Sequence, residues 1–527
     1  MKAEKPEGFR LAMAWLHTWT GLLFGWVLFA MFFTGTLAFF RPEINAWMRP
    51  EIQVGQVSAT AAVETGVRYL QTHAAASSRW FIAPPTAREP TLNLTYQGAP
   101  AKAGGRNFQR VSLDPASGQP VRARDTRGGD FFYRFHFELN LAHPWGRWLA
   151  SVAGMFMLVA IISGIVTHKK IFADFFTFRP GKNGQRAWMD GHAVLSVLGL
   201  PFHLMITFSG LVLLMSMLLP AGILAAYDSN RAFFDEAFPA FATRPPAKVA
   251  APLADIGPML ALARAHWGGG GIGRITISNP GDAAATVAIG RSNTDRIAFG
   301  RTAPSITFDG ASGRLLSASE AQSGTVATAG TVVGLHLGVY AQPLLRWFYF
   351  LISLAGTAMV GSGLALWVVK RRRKAGADAA NRFSLRLVDG LNAGAVAGIL
   401  AATAAYFLAN RLLPAGLAGR GLWETRVFFA VWAFSLIYAY ARRRTAWRDI
   451  FGVAAASFLA LPLVNAIATP RHLAASLAAG DWTMAGFDLT VCASGMLLAG
   501  ITLRLARKAP VRAPRGDARA RAVEAMN

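Results

Sequence analysis

Ten histidines are spread over 527 residues, and six fall in or beside long apolar stretches: His17, His136, His168, His192, His203 and His336. A titratable side chain at membrane depth is costly and points to function by default. Two imidazoles from different helices can hold the iron of a b-type haem from both faces, and an apolar cleft between helices suits the porphyrin. His192 and His203 are 11 residues apart, so a straight helix puts them on one face about 16 Å apart. That spacing stacks one haem near the inner leaflet and one further out. Each histidine alone also reads as a hydrogen-bonded packing residue, and His168, beside Lys169 and Lys170, as an interfacial anchor. His73, His143, His266 and His472 lie outside the apolar stretches. A single cysteine, Cys492, excludes an internal disulfide, a CxxC pair, a thiolate zinc site and covalent CxxCH haem. GGGGIG at 268–273 lacks the context of a dinucleotide loop, and His136, Glu138 and His143 do not make HExxH.

The elements that must position these residues are membrane spans. Hydrophobic residues make up 53% of the chain and charged ones 15%, against roughly a quarter in soluble domains. Eight stretches approach the ~20 residues needed to cross a bilayer: 11–40, 147–167, 192–219, 346–369, 388–410, 423–441, 449–469 and 483–503. The first is too long for the core of a cleavable signal, and none is expected. The net charge of +25 is concentrated at the span ends, which argues for the positive-inside rule and against nucleic acid. With the N-terminus inside, the segments 1–10, 168–190, 370–389, 442–448 and 504–527 carry 26 of the 53 Lys and Arg. Both termini are therefore expected in the cytoplasm. Two hydrophilic segments, 41–146 and 220–345, fall outside and carry strand-like runs such as TLNLTYQG.

The first four spans repeat. His17 precedes Gly35 by 18 residues, as His192 precedes Gly210; Arg147-Trp148 precedes Ser163-Gly164 as Arg346-Trp347 precedes Ser362-Gly363. Asp114-Pro-Ala-Ser-Gly118 and Asp309-Gly-Ala-Ser-Gly313 align at an offset of 195, and His136 and His336 at 200. His168 and His203 have no mates, the equivalent positions being Trp367 and Leu28. The expected unit is span, outer α+β domain, span, and such units commonly pack about a pseudo-two-fold axis.

LHTWTGLLFGWVLFAMFFTGTLAFFRPEI, RWLASVAGMFMLVAIISGIVTHKK, WMDGHAVLSVLGLPFHLMITFSGL and LHLGVYAQPLLRWFYFLISLAGTAMVGSGLALWVVKRRR resemble the PepSY-associated transmembrane proteins, over residues 8–374. The outer segments resemble degenerate PepSY domains. The resemblance implies a bacterial inner-membrane protein, and the family includes di-haem reductases of ferric siderophores. It carries His17, His136, His168, His192, His203 and His336 over as axial-ligand candidates for haem b, two per chain. The implied partners are a ferric siderophore or other ferric chelate, a cytoplasmic or quinol electron donor, and the bilayer. Family members often have a further histidine four residues after His136, where this chain has Asn140. A non-enzymatic PepSY sensor or a transporter subunit is the alternative.

The expected architecture is an all-α polytopic membrane protein of about eight spans with two small PepSY-like domains. Its segments are 1–40, 41–146 (domain one), 147–167, 168–191 (cytoplasmic loop), 192–219, 220–345 (domain two), 346–374, 375–510 (four-span extension) and 511–527 (disordered basic tail).

Overall fold

The computed structural model describes residues 7–98, 107–168, 184–229, 232–233, 244–299, 304–319, 324–376, 378 and 382–507. The basic tail and most of the expected 168–191 loop lie outside the described residues.

The first expected span is α1 (Glu7–Leu23) followed by α2 (Gly25–Ala38). After a short α3 (Arg41–Met48) come α4 (Ala59–His73), strands β1 (Arg79–Ala83), β2 (Leu92–Gln97) and β3 (Phe108–Leu113), α5 (Gly128–Glu138) and α6 (Trp145–Thr167). A second set follows: α7 (Gly184–Leu198), α8 (Leu200–Leu213), α9 (Ile256–His266), β4 (Ile272–Ser278), β5 (Thr286–Arg291), β6 (Ser305–Asp309), β7 (Leu315–Ser319), α10 (Gly324–Leu337) and α11 (Pro343–Ala375). The remainder is helical. α12 (Phe383–Asn392) runs through a π-turn at Ala393–Ala397 into α13 (Gly398–Leu412), then α14 (Arg420–Ala441), α15 (Ala446–Ala468) and α16 (Trp482–Arg507).

Six helices are long and apolar enough to cross a membrane, and the count reaches eight if each of two bent pairs is one span. The bent pairs are α1–α2 and α7–α8, each turning by 66°. At the second break the cause is local. Pro201 stands in the first turn of α8; it has no N–H for the carbonyl of Val197, and its ring crowds that carbonyl. The straight helix expected to stack His192 over His203 is therefore interrupted at Gly199. For the break at Phe24 the structure offers a weaker cause, the Thr18 and Thr20 hydroxyls donating back to the Ala14 and Leu16 carbonyls, a pattern that bends helices.

The two hydrophilic segments do not form separate sheets. All seven strands make one antiparallel sheet in the order β3-β2-β1-β4-β5-β6-β7. The join is β1 on β4, with Arg79 opposite Ser278 and Ile82 opposite Ile275. Each segment alone would leave this edge of unpaired N–H and C=O groups open, and pairing the two edges removes the liability. One core fills the face beneath, where Val63, Val67 and Leu70 of α4 and Met259 and Leu260 of α9 meet Ile82, Leu94, Ile277 and Phe308.

The two Asp-x-Ala-Ser-Gly runs are turns at the ends of β3 and β6. Asp114 accepts from Gly55 N, Ala116 N and Ser117 Oγ, and Asp309 accepts from Ser312 N and Oγ and from Arg244 at 2.7 Å. Gly118 and Gly313 close them at φ of +71° and +73°, where a Cβ is strained. The Ser312 N–H and the Arg244 guanidinium hold Asp309 down at about 2, below its ordinary 3.8. With the folded pKa below the unfolded one, Asp309 adds stability above about pH 4 that disappears as the pH falls toward 2. Asp309→Asn should therefore lower the melting temperature near neutral pH and flatten its decline in acid. Parallel curves for the two proteins would show that the turn carries no such linkage.

Candidate functional site

α1 packs along α6, α2 along α5 and α11, α7 along α11, and α8 along α10. These contacts bring four of the six histidines together as two pairs. His17 on α1 faces His192 on α7, with ring centroids 6.3 Å apart and planes at 66°. His136 on α5 faces His336 on α10, at 6.1 Å and 36°. All four are half-buried.

Each of the four rings is held by the same atom. His17 Nδ1 lies 2.8 Å from the Ala160 carbonyl, His136 Nδ1 2.8 Å from that of Met31, and His192 Nδ1 3.0 Å from that of Met359. His336 Nδ1 lies 3.0 Å from Ser209 Oγ, whose hydroxyl already donates to the Met205 carbonyl at 2.6 Å. A carbonyl oxygen only accepts, and the committed Ser209 oxygen can accept too, so Nδ1 carries the hydrogen in each ring. Nε2 then keeps a bare lone pair, and among the described residues it has no hydrogen-bond partner in any of the four. A purely structural imidazole inside a protein usually satisfies both nitrogens. Fixing Nδ1–H on a carbonyl is how ligating histidines are oriented.

Glycine makes this possible. Gly164 lies beside the Nδ1 edge of His17, Gly35 beside that of His136, Gly363 beside that of His192 and Gly210 beside that of His336. In the three carbonyl-bound cases the accepting residue stands four before the glycine. A helical carbonyl is screened by the side chain one turn on, and a missing Cβ there uncovers it for a second donor. The Thr-Gly and Ser-Gly pairs, read from the sequence only as markers of the repeat, are thus the seats of the imidazoles. An added Cβ would lie 2.7 Å from His136 Nδ1 at Gly35, 2.9 Å from His336 Cε1 at Gly210, 3.1 Å from His17 Cε1 at Gly164 and 3.2 Å from His192 Cε1 at Gly363. Alanine should therefore disturb the pairs in that order, Gly35 most and Gly363 least. Histidine ring NMR of the four variants checks it; equal effects would mean the glycines serve helix packing alone.

His203 belongs to neither pair. It is 1% exposed, its Nε2 is 3.4 Å from the Ile352 carbonyl bared by Gly356, and its Nδ1 has no partner among the described residues. Its ring instead meets Phe32 at 6.3 Å and Phe202 at 6.2 Å. His168 ends α6 and is exposed. Of the other histidines, His73 stacks on Tyr69 at 4.0 Å and His472 caps the helix Leu473–Ala478.

His136 and His336 open into a cavity of about 770 Å³, within the few-hundred to thousand Å³ range of small-molecule sites. Its lining includes the apolar Leu28, Met31, Phe32, Met157 and Ile206 and the polar Arg41, Arg88, Arg274 and Tyr133. Arg41 also pairs with Asp130 at 2.6 Å, and Arg88 with Glu43 at 2.7 Å. Among the described residues no group of three or more His, Cys, Asp or Glu is arranged to hold a bare metal ion.

Residues 14–370 match the model of the PepSY-associated transmembrane region. The chain belongs to the PepSY-associated transmembrane family. It is also 30% identical over 389 residues to an uncharacterised protein of Pseudomonas aeruginosa, an alignment covering 70% of this chain and 93% of that protein.

α12–α16 lie beyond the family region and hold a buried polar network. Arg420 and Glu424 are both fully buried and pair at 2.5 Å. Asn410 donates to Glu424 at 2.7 Å, and Arg411 donates to Asn465 at 2.7 Å. Asp488, also fully buried, accepts from Trp47 Nε1 at 2.9 Å and from Asn465 at 3.0 Å. The spacing of Arg420 and Glu424 at i and i+4 was the available sequence signal for this network.

Proposed function

We propose that this PepSY-associated protein is a haem-containing inner-membrane reductase that moves electrons across the membrane to ferric iron, held as a ferric siderophore or similar chelate in the periplasm. The observation that carries the reading is the pair of facing imidazole pairs, each ring tethered through Nδ1–H with Nε2 bare. An imidazole nitrogen binds a metal ion at about 2.0 Å, and with about 1.1 Å from that nitrogen to the ring centre, two rings flanking one ion have centroids about 6 Å apart. The observed 6.3 and 6.1 Å suit that arrangement. His17 with His192, and His136 with His336, would hold the two haems b, and Arg274, lining the cavity at His136 and His336, would be a cationic partner for propionate carboxylates. Bound at these two places, haem supplies one-electron carriers toward either side of the bilayer.

The chain's own residues do the rest. The four carbonyl and hydroxyl acceptors fix ring tautomer and orientation. The equivalent placements in the two halves support reading residues 1–374 as a duplicated unit, with the sheet on the periplasmic side and both termini in the cytoplasm. Reduction labilises the chelate because hard oxygen donors suit Fe(III) far better than Fe(II). The electron donor is a cytoplasmic partner or a membrane quinol.

The test uses proteoliposomes of known orientation, reduced from the face opposite the sheet. Adding a ferric siderophore on the sheet face should reoxidise the protein, and a membrane-impermeant Fe(II) chelator should trap product there. Reoxidation only by chelate supplied on the opposite face overturns the direction, and indifference on both faces favours a sensor or transporter.

A further inference from the structure

The four-span extension has no part in the reading above, yet it holds one of the four imidazole-bearing helices. Residues 124–128, the entry to α5, are bonded to it at successive positions. Arg124 donates to the Asn410 carbonyl at 2.9 Å, and the Gly421 N–H donates to the Asp125 carboxylate at 3.1 Å. The Thr126 hydroxyl donates to Glu424 at 2.5 Å and accepts from Gly128 N at 3.0 Å, one of the open donors of the first turn of α5. The Tyr406 hydroxyl donates to the Gly128 carbonyl at 2.9 Å.

The helix that follows is clamped along one side. Phe131 meets Tyr406 at 5.0 Å and Phe428 at 4.9 Å, and Phe132 meets Tyr406 at 5.3 Å. Phe132 is fully buried and sits one turn before His136, on nearly the same face. His136 stands eight residues past Gly128, about 12 Å along a stiff rod whose base is fixed. A tilt at the base therefore displaces the imidazole. α10, which carries His336, is seated differently: it packs on α8, and its Gly330 carbonyl accepts from Phe299 N at 3.1 Å.

We infer that the α12–α16 bundle is a scaffold that sets the position of His136 against His336, with Thr126, Tyr406 and Phe428 as positioning residues. The inference rests on the reading of these two histidines as a ligand pair. It concerns the seat of α5 alone, since the bundle also touches α2 and α11 through Asn392: loosening that seat changes ligation at His136–His336 and leaves His17–His192 as it was.

The experiment is low-temperature EPR and a redox titration of the full-length purified protein. His136→Ala and His17→Ala first assign each low-spin signal to its pair. Thr126→Val, which keeps the side-chain shape but loses the hydroxyl, and Phe428→Leu are then compared with the parent. Phe458→Leu, a buried bundle substitution of the same size, is the control. The expected result is a shifted g-value and midpoint potential for the His136–His336 signal in both test variants. The other signal should be unmoved, and Phe458→Leu should leave both at parental values. Test variants with parental signals overturn the scaffold role while leaving the ligand reading intact, and equal movement of both signals, or movement in Phe458→Leu, reduces it to general destabilisation. If neither histidine variant removes a signal, the ligand reading itself fails and this inference with it. Should Phe428→Leu not yield folded protein, Thr126→Val and Tyr406→Phe carry the same test.

Discussion

Replacing His192 with alanine is expected to remove one haem per chain and leave the other bound. The ring is one of only two facing each other at that end of the molecule, and its tether to Met359 and Ser362 has no substitute nearby. His17→Ala should give the same spectrum, because a facing pair fails when either member is lost. The fold should survive both changes, since each ring is half-buried and neither belongs to an apolar core cluster. Changing His73, His143, His266 and His472 should leave the spectrum as it was. Loss of a haem on changing any of those four would contradict the pairing.

The second large effect falls on stability. Glu424→Ala removes the acceptor for Arg420, Asn410 and Thr126 at once. Arg420 is 0% exposed and would be left a buried cation with only backbone carbonyls. Breaking a buried pair on one side costs roughly 3–5 kcal/mol, more than most substitutions. Glu424→Gln should cost less, because it keeps one oxygen acceptor and the shape. The midpoint of heat-induced loss of monodisperse protein in detergent measures both. A Glu424→Ala protein as heat-resistant as its parent would mean that water enters the network and that the pair is not buried in solution.

The spans were legible because twenty apolar residues in a row have few other uses. A titratable group among apolar neighbours also stands out by type alone, which singled out the six histidines, four of which come together as pairs while His168 and His203 join neither. Partner choice was legible in part, since His17 with His192 and His136 with His336 stand as repeat mates in the sequence. The stacking of His192 and His203 assumed a straight helix, although Gly199 and Pro201 stood between them as a readable break. With that break in place the pairs form between repeat mates, His17 with His192 and His136 with His336. The role of the Ser-Gly and Thr-Gly pairs was hidden for a different reason: a bared carbonyl is a property of the folded helix, and sequence shows only the glycine. The union of the two sheet segments through β1 and β4 was equally out of reach, because nothing in Arg79–Ala83 names its partner. The buried network of Arg411, Arg420, Glu424 and Asp488 was not legible, because charge near a span end ordinarily means solvent. Its members instead find each other, and Trp47 and Thr126, across long stretches of chain.

The central claim is that each facing pair of imidazoles holds one haem, and a pyridine haemochrome assay with a protein determination on the full-length protein tests it most directly. Two haems per chain are expected for the parent, and one each for His17→Ala and His136→Ala. Colourless protein from haem-replete cells, or a parent ratio near one, would contradict it.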